Sequence, residues 1–341
     1  NHVNRRAPMA AWMLPKRFRE WTSRMASPLD RRTRKYWLPV LIGVIFAQGR
    51  RTASRWFSAA GVGDDWQRHY YFLGSLGRKV GLVATELLMI AMRWIPQAHV
   101  GEFIRLAIDD SPTKRYGPRV EGAGIHHNPT PGPAGSDFLY GHVWVTISWL
   151  VRHPLWSTIG LALRSRLYIR KCDMEQLQNE HRQPWDFRTK LELAAELLEW
   201  AAEWFTAWLG KPVIGVVDGA YAKRELLKRA NTAGVIIVSR LRKDAALFTV
   251  PRPTKQPGRG RPRKYGTDRI RLGRRGSHPR GWSTGEFELY GETTTVTYKT
   301  FLATYRPAGG LIRVVIVQDD FDDGRWRAFF STDPDLSLIH I

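Results

Sequence analysis

The pattern of hydrophobic and polar residues changes character at about residue 100. Residues 51–95 place apolar side chains three and four positions apart, which predicts helices and no alternating strand. Beyond residue 100 the apolar residues form short continuous runs or alternate with polar ones, as in β-strands. We therefore expect an N-terminal helical domain over residues 1–100 and a sheet-based domain over residues 101–337.

The order of elements in the second domain indicates its fold class. Three strands are predicted first, at Phe103–Ile108, Gly141–Val151 and Leu155–Ile169. They are followed, in chain order, by helix Trp185–Leu209, strand Pro212–Val217, helix Ala220–Asn231 and strand Gly234–Arg240. The first three strands suit an antiparallel meander, and the last two suit parallel strands covered by helices. This is the order of a ribonuclease H-like α/β core, a mixed sheet with flanking helices, in which the first and fourth strands are neighbours.

Two further segments follow this core. Residues 251–283 contain almost no apolar residues and are expected to form a basic linker, either a solvated loop or a segment ordered by its partner. Residues 284–332 predict a β insertion of three strands. In the N-terminal domain, residues 51–72 have the length of a helix-turn-helix, which could read DNA or serve only for packing.

The charge is concentrated in two places. The formal net charge of +22 comes almost entirely from residues 1–60, with 13 Lys and Arg against two acids, and from residues 251–281, with 11 against Asp268. Such segregation points to a polyanion bound at separate places, and nucleic acid is the expected partner.

Acidic residues follow the two strands that should be neighbours. The stretch "IRLAIDDSPTK" contains Asp109 and Asp110, and "IGVVDGAYAKRELL" contains Asp218. Because carboxylates that converge repel one another, a divalent cation is the usual compensation, and oxygen-only ligands favour Mg²⁺ or Mn²⁺. Successive side chains on a strand alternate faces, so only one of Asp109 and Asp110 can be the main ligand.

These motifs resemble those of bacterial insertion-sequence transposases with a DDE catalytic core. The resemblance covers roughly Arg105 to Thr332 and implies Asp110 and Asp218 as catalytic residues, with Asp109 beside them. It also implies DNA strand transfer, double-stranded DNA as partner, and a homodimer that bridges two element ends. The family carries a third acid, a Glu, on a helix after the β insertion. That helix would begin beyond Asp333–Ser337, so we expect a chain truncated before the third acid.

Basic residues near the strand ends and in the linker are candidates for DNA contact. The Arg259–Lys264 stretch looks like an AT-hook that enters the minor groove, and a phosphate-binding arm without sequence preference is the alternative. His126 and His127 have no further Cys or His at ligand spacing, so zinc is not expected there. The DNA-binding candidates are Lys114, Arg115, Arg240, Arg242, Lys243, Arg259, Arg261, Arg263 and Lys264.

No apolar run is suited to cross a bilayer, and the single Cys172 cannot form an internal disulfide. We expect a protein of the bacterial cytoplasm, associated with the nucleoid. Two alternatives to a transposase remain. The same acids fit a ribonuclease H-like nuclease without transposition, and the basic segments fit a DNA-binding remnant that has lost its chemistry.

Overall fold

A computed structural model describes residues 14–117, 120–128, 135–181, 186–252, 262–289, 291–318 and 326–341. The chain divides into two compact units, Asn1–Pro96 and Gln97–Ile341. Among the helices in the described ranges, none combines the length and apolar character that a membrane crossing requires.

The described part of the N-terminal unit is helical, as its periodicity predicts. Its α-helices are α1 (Lys16–Met25), α2 (Trp37–Phe46), α3 (Ala53–Ala59) and α4 (Trp66–Trp94). Phe57 and Phe72 are buried at its centre. Gly43 lets α2 approach α3 closely, because a Cβ at this position would lie 2.1 Å from the carbonyl oxygen of Trp56. A helix, turn and helix therefore span residues 51–72, and DNA reading by this piece stays a prediction.

The second unit is built on one large mixed sheet. Its elements are β1 (Ile104–Lys114), β2 (Gly124–His127), β3 (Phe138–His153), β4 (Ser157–Tyr168), α5 (Lys171–His181), α6 (Lys190–Leu209), β5 (Val213–Val217), α7 (Arg224–Thr232), β6 (Val235–Leu241), β7 (Leu247–Phe248), β8 (Arg269–Ile270), α8 (Leu272–Ser277), β9 (Ser283–Leu289), β10 (Glu292–Tyr305), β11 (Gly310–Gln318) and β12 (Trp326–Ser331). Over the described residues the strand order is β2-β3-β1-β5-β6-β12-β11-β10-β7-β8, with β4 on β3 and β9 on β10.

The neighbours of β1 agree with the predicted topology. β1 pairs antiparallel with β3 and parallel with β5, so the first and fourth predicted strands are adjacent. The architecture is a mixed α/β sheet with flanking helices, consistent with a ribonuclease H-like fold. On one face Trp149 of β3 packs against Phe205 of α6, with ring centroids 4.8 Å apart. On the other face Ile214 and Val238 pack against Leu336, which follows β12.

The end of β1 differs from the sequence prediction. The apolar pattern predicts a strand that stops at Ile108, but the pairing with β3 continues through Asp109 and Asp110 to Lys114. The parallel partner β5 stops earlier, and the last matched pair is Ile108 with Val217. The long strand β3 therefore keeps β1 extended, while the absence of a partner on the β5 side leaves the two acids at an open edge.

The C-terminal segments also correct the prediction. "GEFELYGETTTVTYKTFLATYR" does not form one strand but the hairpin β9–β10, with Gly291 at a φ of +87°. β12 pairs with β6, so the β insertion extends the central sheet. Part of the basic linker is folded as β8 and α8, because Ile270 and Leu272 supply buried side chains in an otherwise polar segment.

Candidate active site

The register of β1 and β5 decides which acids lie side by side. Ile108 matches Val217, so Asp109 and Asp218 are the next residues along the two parallel chains. Residues matched in register on parallel strands point to the same face, and successive residues alternate. Within β1, Asp109 therefore belongs to the face that carries Ile214 and Asp110 belongs to the face covered by α6, while Asp218 directly follows the end of β5.

The Asp110 carboxylate accepts hydrogen bonds from two side chains on the α6 face of the sheet. The Lys190 ammonium donates to its Oδ2 at 2.7 Å, and the Tyr221 hydroxyl donates to its Oδ1 at 2.8 Å. Lys190 is the first residue of α6, whose start is fixed by a capping box between Thr189 and Glu192. Both oxygens of Asp110 are thus engaged in charge-assisted hydrogen bonds, which restricts their use as metal ligands.

Asp109 and Asp218 differ from Asp110 in having exposed carboxylates without a side-chain donor. Asp109 accepts only the Asp110 backbone N–H at 2.8 Å, and Asp218 accepts only the Gly219 backbone N–H at 2.6 Å, among the described residues. Each carboxylate therefore keeps oxygen lone pairs directed to solvent. Among the described residues, Asp110 is thus engaged by side-chain donors and Asp109 and Asp218 are not, and the catalytic assignment of Asp110 and Asp218 stays a prediction.

The pKa of the Tyr221 phenol is raised by burial and by the charges of all three acids. Burial raises the pKa of Tyr221 well above its ordinary value of 10.0, and the charge of Asp110 and the hydrogen bond to it add to this shift. The charges of Asp109 and Asp218 raise the pKa further. Because electrostatic interaction weakens with distance, the three carboxylates lie in one neighbourhood around this tyrosine.

The acids line a groove of about 1120 Å³. Its wall carries Asp109, Asp110 and Asp218 together with the basic side chains of Lys190, Arg170 and Arg240. Arg170 is held by a bidentate pair with Asp173, with both N–O distances 2.6 Å. Arg240 is exposed and, in the described part of the chain, has no carboxylate partner. It is thus the DNA-binding candidate that the fold brings to the acids.

The other DNA-binding candidates that the structure describes are not among the residues that line the groove. Arg115 donates to His142 at 3.0 Å, Arg242 pairs with Asp244 at 3.2 Å, and Lys243 stacks over Trp326. Lys114 is exposed at the far end of β1, Arg263 and Lys264 are exposed within the basic linker, and Arg259 and Arg261 lie outside the described residues.

The described residues hold no group of three or more His, Cys, Asp or Glu side chains that could bind a metal ion. That His126 and His127 do not bind zinc stays a prediction. Asp109 and Asp218 offer a pair of free carboxylates. This donor set fits Mg²⁺, which takes one or two protein carboxylates and retains several waters.

Sequence reasoning missed Lys190 and Tyr221. Lys190 is 80 residues from Asp110 and Tyr221 is 111 residues away, so no local pattern links them. One signal was available for Tyr221. The segment after Asp218, "GAYAKRELL", places this aromatic residue in the turn before α7, where it returns towards the neighbouring strand.

A mixed α/β sheet thus brings three carboxylates and three basic side chains together at the ends of two parallel strands. A family model described as DDE superfamily endonuclease matches residues 24–302, which include all three acids. The chain therefore belongs to the DDE superfamily endonucleases. A search of curated proteins found no significant match.

Proposed function

We propose that the protein is a metal-dependent DNA endonuclease that works as the transposase of a bacterial insertion sequence. The observation that carries the proposal is that Asp109 and Asp218 directly follow the last matched pair of β1 and β5, both exposed and, among the described residues, without side-chain donors. Membership of the DDE superfamily endonucleases supports nuclease chemistry. Strand transfer, action as a homodimer on double-stranded DNA, and a place in the bacterial cytoplasm at the nucleoid are further parts of the proposal.

In this mechanism Asp109 and Asp218 hold the catalytic metal, Mg²⁺ or Mn²⁺. The chemistry that the metal supplies when bound is activation of the nucleophile and neutralisation of charge on the phosphate. Arg240 contacts a non-bridging phosphate oxygen from the neighbouring strand and orients the phosphodiester. Water attacks phosphorus, the bond from phosphorus to the 3′-oxygen breaks, and the products are a 3′-hydroxyl and a 5′-phosphate.

Asp110 acts in this proposal as a positioning residue. Its carboxylate joins Lys190 at the start of α6 to Tyr221 in the turn after β5. The backbone N–H of Asp110 also donates to the Asp109 carboxylate, so a shift of Asp110 moves the proposed metal ligand. The Lys190 charge compensates one of three neighbouring negative charges, which lowers their mutual repulsion before metal binds.

The test compares three isosteric variants, Asp109→Asn, Asp110→Asn and Asp218→Asn. Mn²⁺ binding, followed by electron paramagnetic resonance of the free ion, should weaken at least tenfold in the Asp109 and Asp218 variants and much less in the Asp110 variant. Mg²⁺-dependent nicking of supercoiled plasmid is measured on the same proteins. Equal loss of Mn²⁺ binding in all three variants, or retention in Asp218→Asn, would refute the assignment.

Transposition is separated from simple cleavage by the products. A transposase joins a 3′-hydroxyl end to a second duplex, whereas a ribonuclease H-like nuclease only cuts. A labelled element end incubated with target plasmid should therefore yield joined products as well as nicks. Nicks that depend on Asp218 without any joined product would identify the nuclease. Salt-sensitive DNA binding with neither product would identify the DNA-binding remnant.

A further inference from the structure

Five exposed arginines surround a second cavity, away from the acids. The cavity has a volume of about 580 Å³ and is lined by no Asp or Glu among the described residues. Its basic lining residues are Arg269, Arg271, Arg274, Arg275, Arg280 and Lys299. None of these side chains forms an ion pair with a carboxylate within the part of the chain that the structure describes.

The backbone beneath these arginines is firmly packed. Leu272 of α8 is buried. Gly276 faces Trp326 so closely that a Cβ would lie 2.3 Å from the indole ring. The segment before α8 is held by the β7–β8 pairing, in which Leu247 matches Ile270. We call this structure, residues 269–281, the arginine platform. Its arginines project from a fixed surface, so less ordering is required when they bind a ligand.

Lys299 fixes the end of the arginine platform. It is buried at 7% exposure, and its ammonium donates to the carbonyl oxygens of Arg275, at 2.9 Å, and His278. It also lies 4.3 Å from the ring centroid of Trp282. Burial is the first cause that lowers the pKa of Lys299, and the charge of Arg275 is the second. The hydrogen bonds of the buried Lys299 ammonium thus hold the arginine-rich segment in one position, so the platform is a fixed part of the fold.

We infer that the arginine platform binds the phosphate backbone of double-stranded DNA outside the catalytic groove. The inference rests on the proposed function for the choice of DNA as the polyanion. Guanidinium groups bind phosphate oxygens bidentately and stay charged at every physiological pH. Five of them around one open cavity exceed what a single phosphate can satisfy and suit a ligand with repeated phosphates. Such contacts fix position and orientation and do not read sequence.

The test uses the full chain with the triple variant Arg271→Gln, Arg274→Gln and Arg280→Gln. Arg275 is left unchanged because its guanidinium stacks 4.2 Å from the Phe301 ring centroid. Binding of a fluorescent 30-base-pair duplex is measured by anisotropy in EDTA, so that cleavage cannot occur. We expect at least tenfold weaker binding at ~0.1 M salt. The salt slope should fall by about three, because each substituted arginine leaves one phosphate without its neutralising cation.

Two matched variants make the result specific. Replacing the three arginines by lysine keeps the charges and should keep the affinity within about threefold. The triple variant Arg152→Gln, Lys171→Gln and Lys223→Gln removes three exposed charges outside the platform and should change the affinity less than twofold. Equal weakening in both glutamine variants, or an unchanged salt slope, would overturn the inference. Displacement of the duplex by inorganic pyrophosphate at constant ionic strength would also overturn it, in favour of a small-anion site.

A measurement on the unmodified protein covers the case in which the glutamine variant does not fold. Phenylglyoxal modifies accessible arginines, and mass spectrometry locates them. Duplex DNA should protect Arg271, Arg274 and Arg280 but not Arg152, and unchanged modification of the first three would contradict the inference. The binding assays contain EDTA and therefore do not depend on catalysis. DNA binding through the platform, together with no nicking of plasmid by the wild-type protein in a separate assay with Mg²⁺, would refute the proposed function and leave this inference standing.

Discussion

Tyr221→Phe removes one hydroxyl from the acid cluster and leaves the ring in place. The hydroxyl donates to Asp110 at 2.8 Å, and the Tyr221 side chain is only 3% exposed. A hydrogen bond to a charged acceptor contributes about 1.5–3 kcal/mol. The Asp110 side chain is 24% exposed and keeps its bond to Lys190, so partial solvation favours the lower end. We expect the free energy of unfolding to fall by about 1.5 kcal/mol.

The assay is urea unfolding followed by circular dichroism and tryptophan fluorescence, supported by thermal melts. A domain of 150–250 residues loses about 2–4 °C in Tm for each kcal/mol, so the expected drop is about 3–6 °C. The matched control is Tyr168→Phe. Tyr168 lines the same groove, and its hydroxyl has no hydrogen-bond partner among the described residues. The control should change the free energy of unfolding by less than about 0.5 kcal/mol.

The pH dependence gives a second readout with a defined sign. The pKa of Tyr221 is raised in the folded state, so the folded protein holds the phenolic proton more tightly than the unfolded chain. This contribution to stability is fully present below about pH 10, the unfolded pKa, and is lost as the pH rises above it. Phenylalanine has no such proton. The stability difference between wild type and Tyr221→Phe should stay constant up to about pH 9 and shrink above pH 10.

Two results would contradict this reasoning. Equal destabilisation by Tyr221→Phe and Tyr168→Phe would mean that loss of any phenol in the groove has the same effect. A stability difference that does not change between pH 8 and pH 10.5 would mean that the folded protein does not raise the pKa of Tyr221, either by burial or by the neighbouring carboxylates.

Two further substitutions test the N-terminal cap of α6 and the packing of α8 against Trp326. Thr189→Ala removes the side-chain cap that accepts the backbone N–H of Glu192 at 3.2 Å, and it should lower the unfolding free energy by about 1 kcal/mol in urea titration. Gly276→Ala should lower it by about 1–3 kcal/mol, because the new methyl group collides with Trp326. Gly273→Ala in the same helix meets open space and should be neutral or stabilising by up to about 1 kcal/mol, so equal destabilisation in both alanine variants would refute the packing argument.

The alternation and continuity of apolar residues predicted the sheet well. Continuous runs such as "VIGVV" have no polar face to expose, so they form parallel strands covered on both sides, and β5 lies beside β1. The helical character of residues 51–95 followed from the same reasoning, because a 3.6-residue period gives one apolar face. These features depend on local pattern, which a single sequence contains.

Other features depend on distant partners. β1 continues through Asp109 and Asp110 because β3 extends beside it, and the partner of Asp110 on this strand is Val145. The folded part of the basic linker depends on two buried side chains, Ile270 and Leu272, and on a lysine at position 299. A prediction from the local composition is dominated by the many charged residues of the linker. It does not detect the few apolar side chains that hold the segment in place.

The choice between adjacent acids combines both kinds of information. Strand alternation requires that Asp109 and Asp110 point to opposite faces, and this is readable from the sequence alone. In the proposed mechanism, which of the two acids can hold the metal depends on where α6 lies, because its first residue, Lys190, supplies the charge that neutralises Asp110. Asp218 directly follows β5 and Asp109 follows the residue matched to the last residue of β5, so the two acids are neighbours at the end of the parallel pair. Two identical neighbouring side chains thus acquire different roles, one as a proposed metal ligand and one as its anchor.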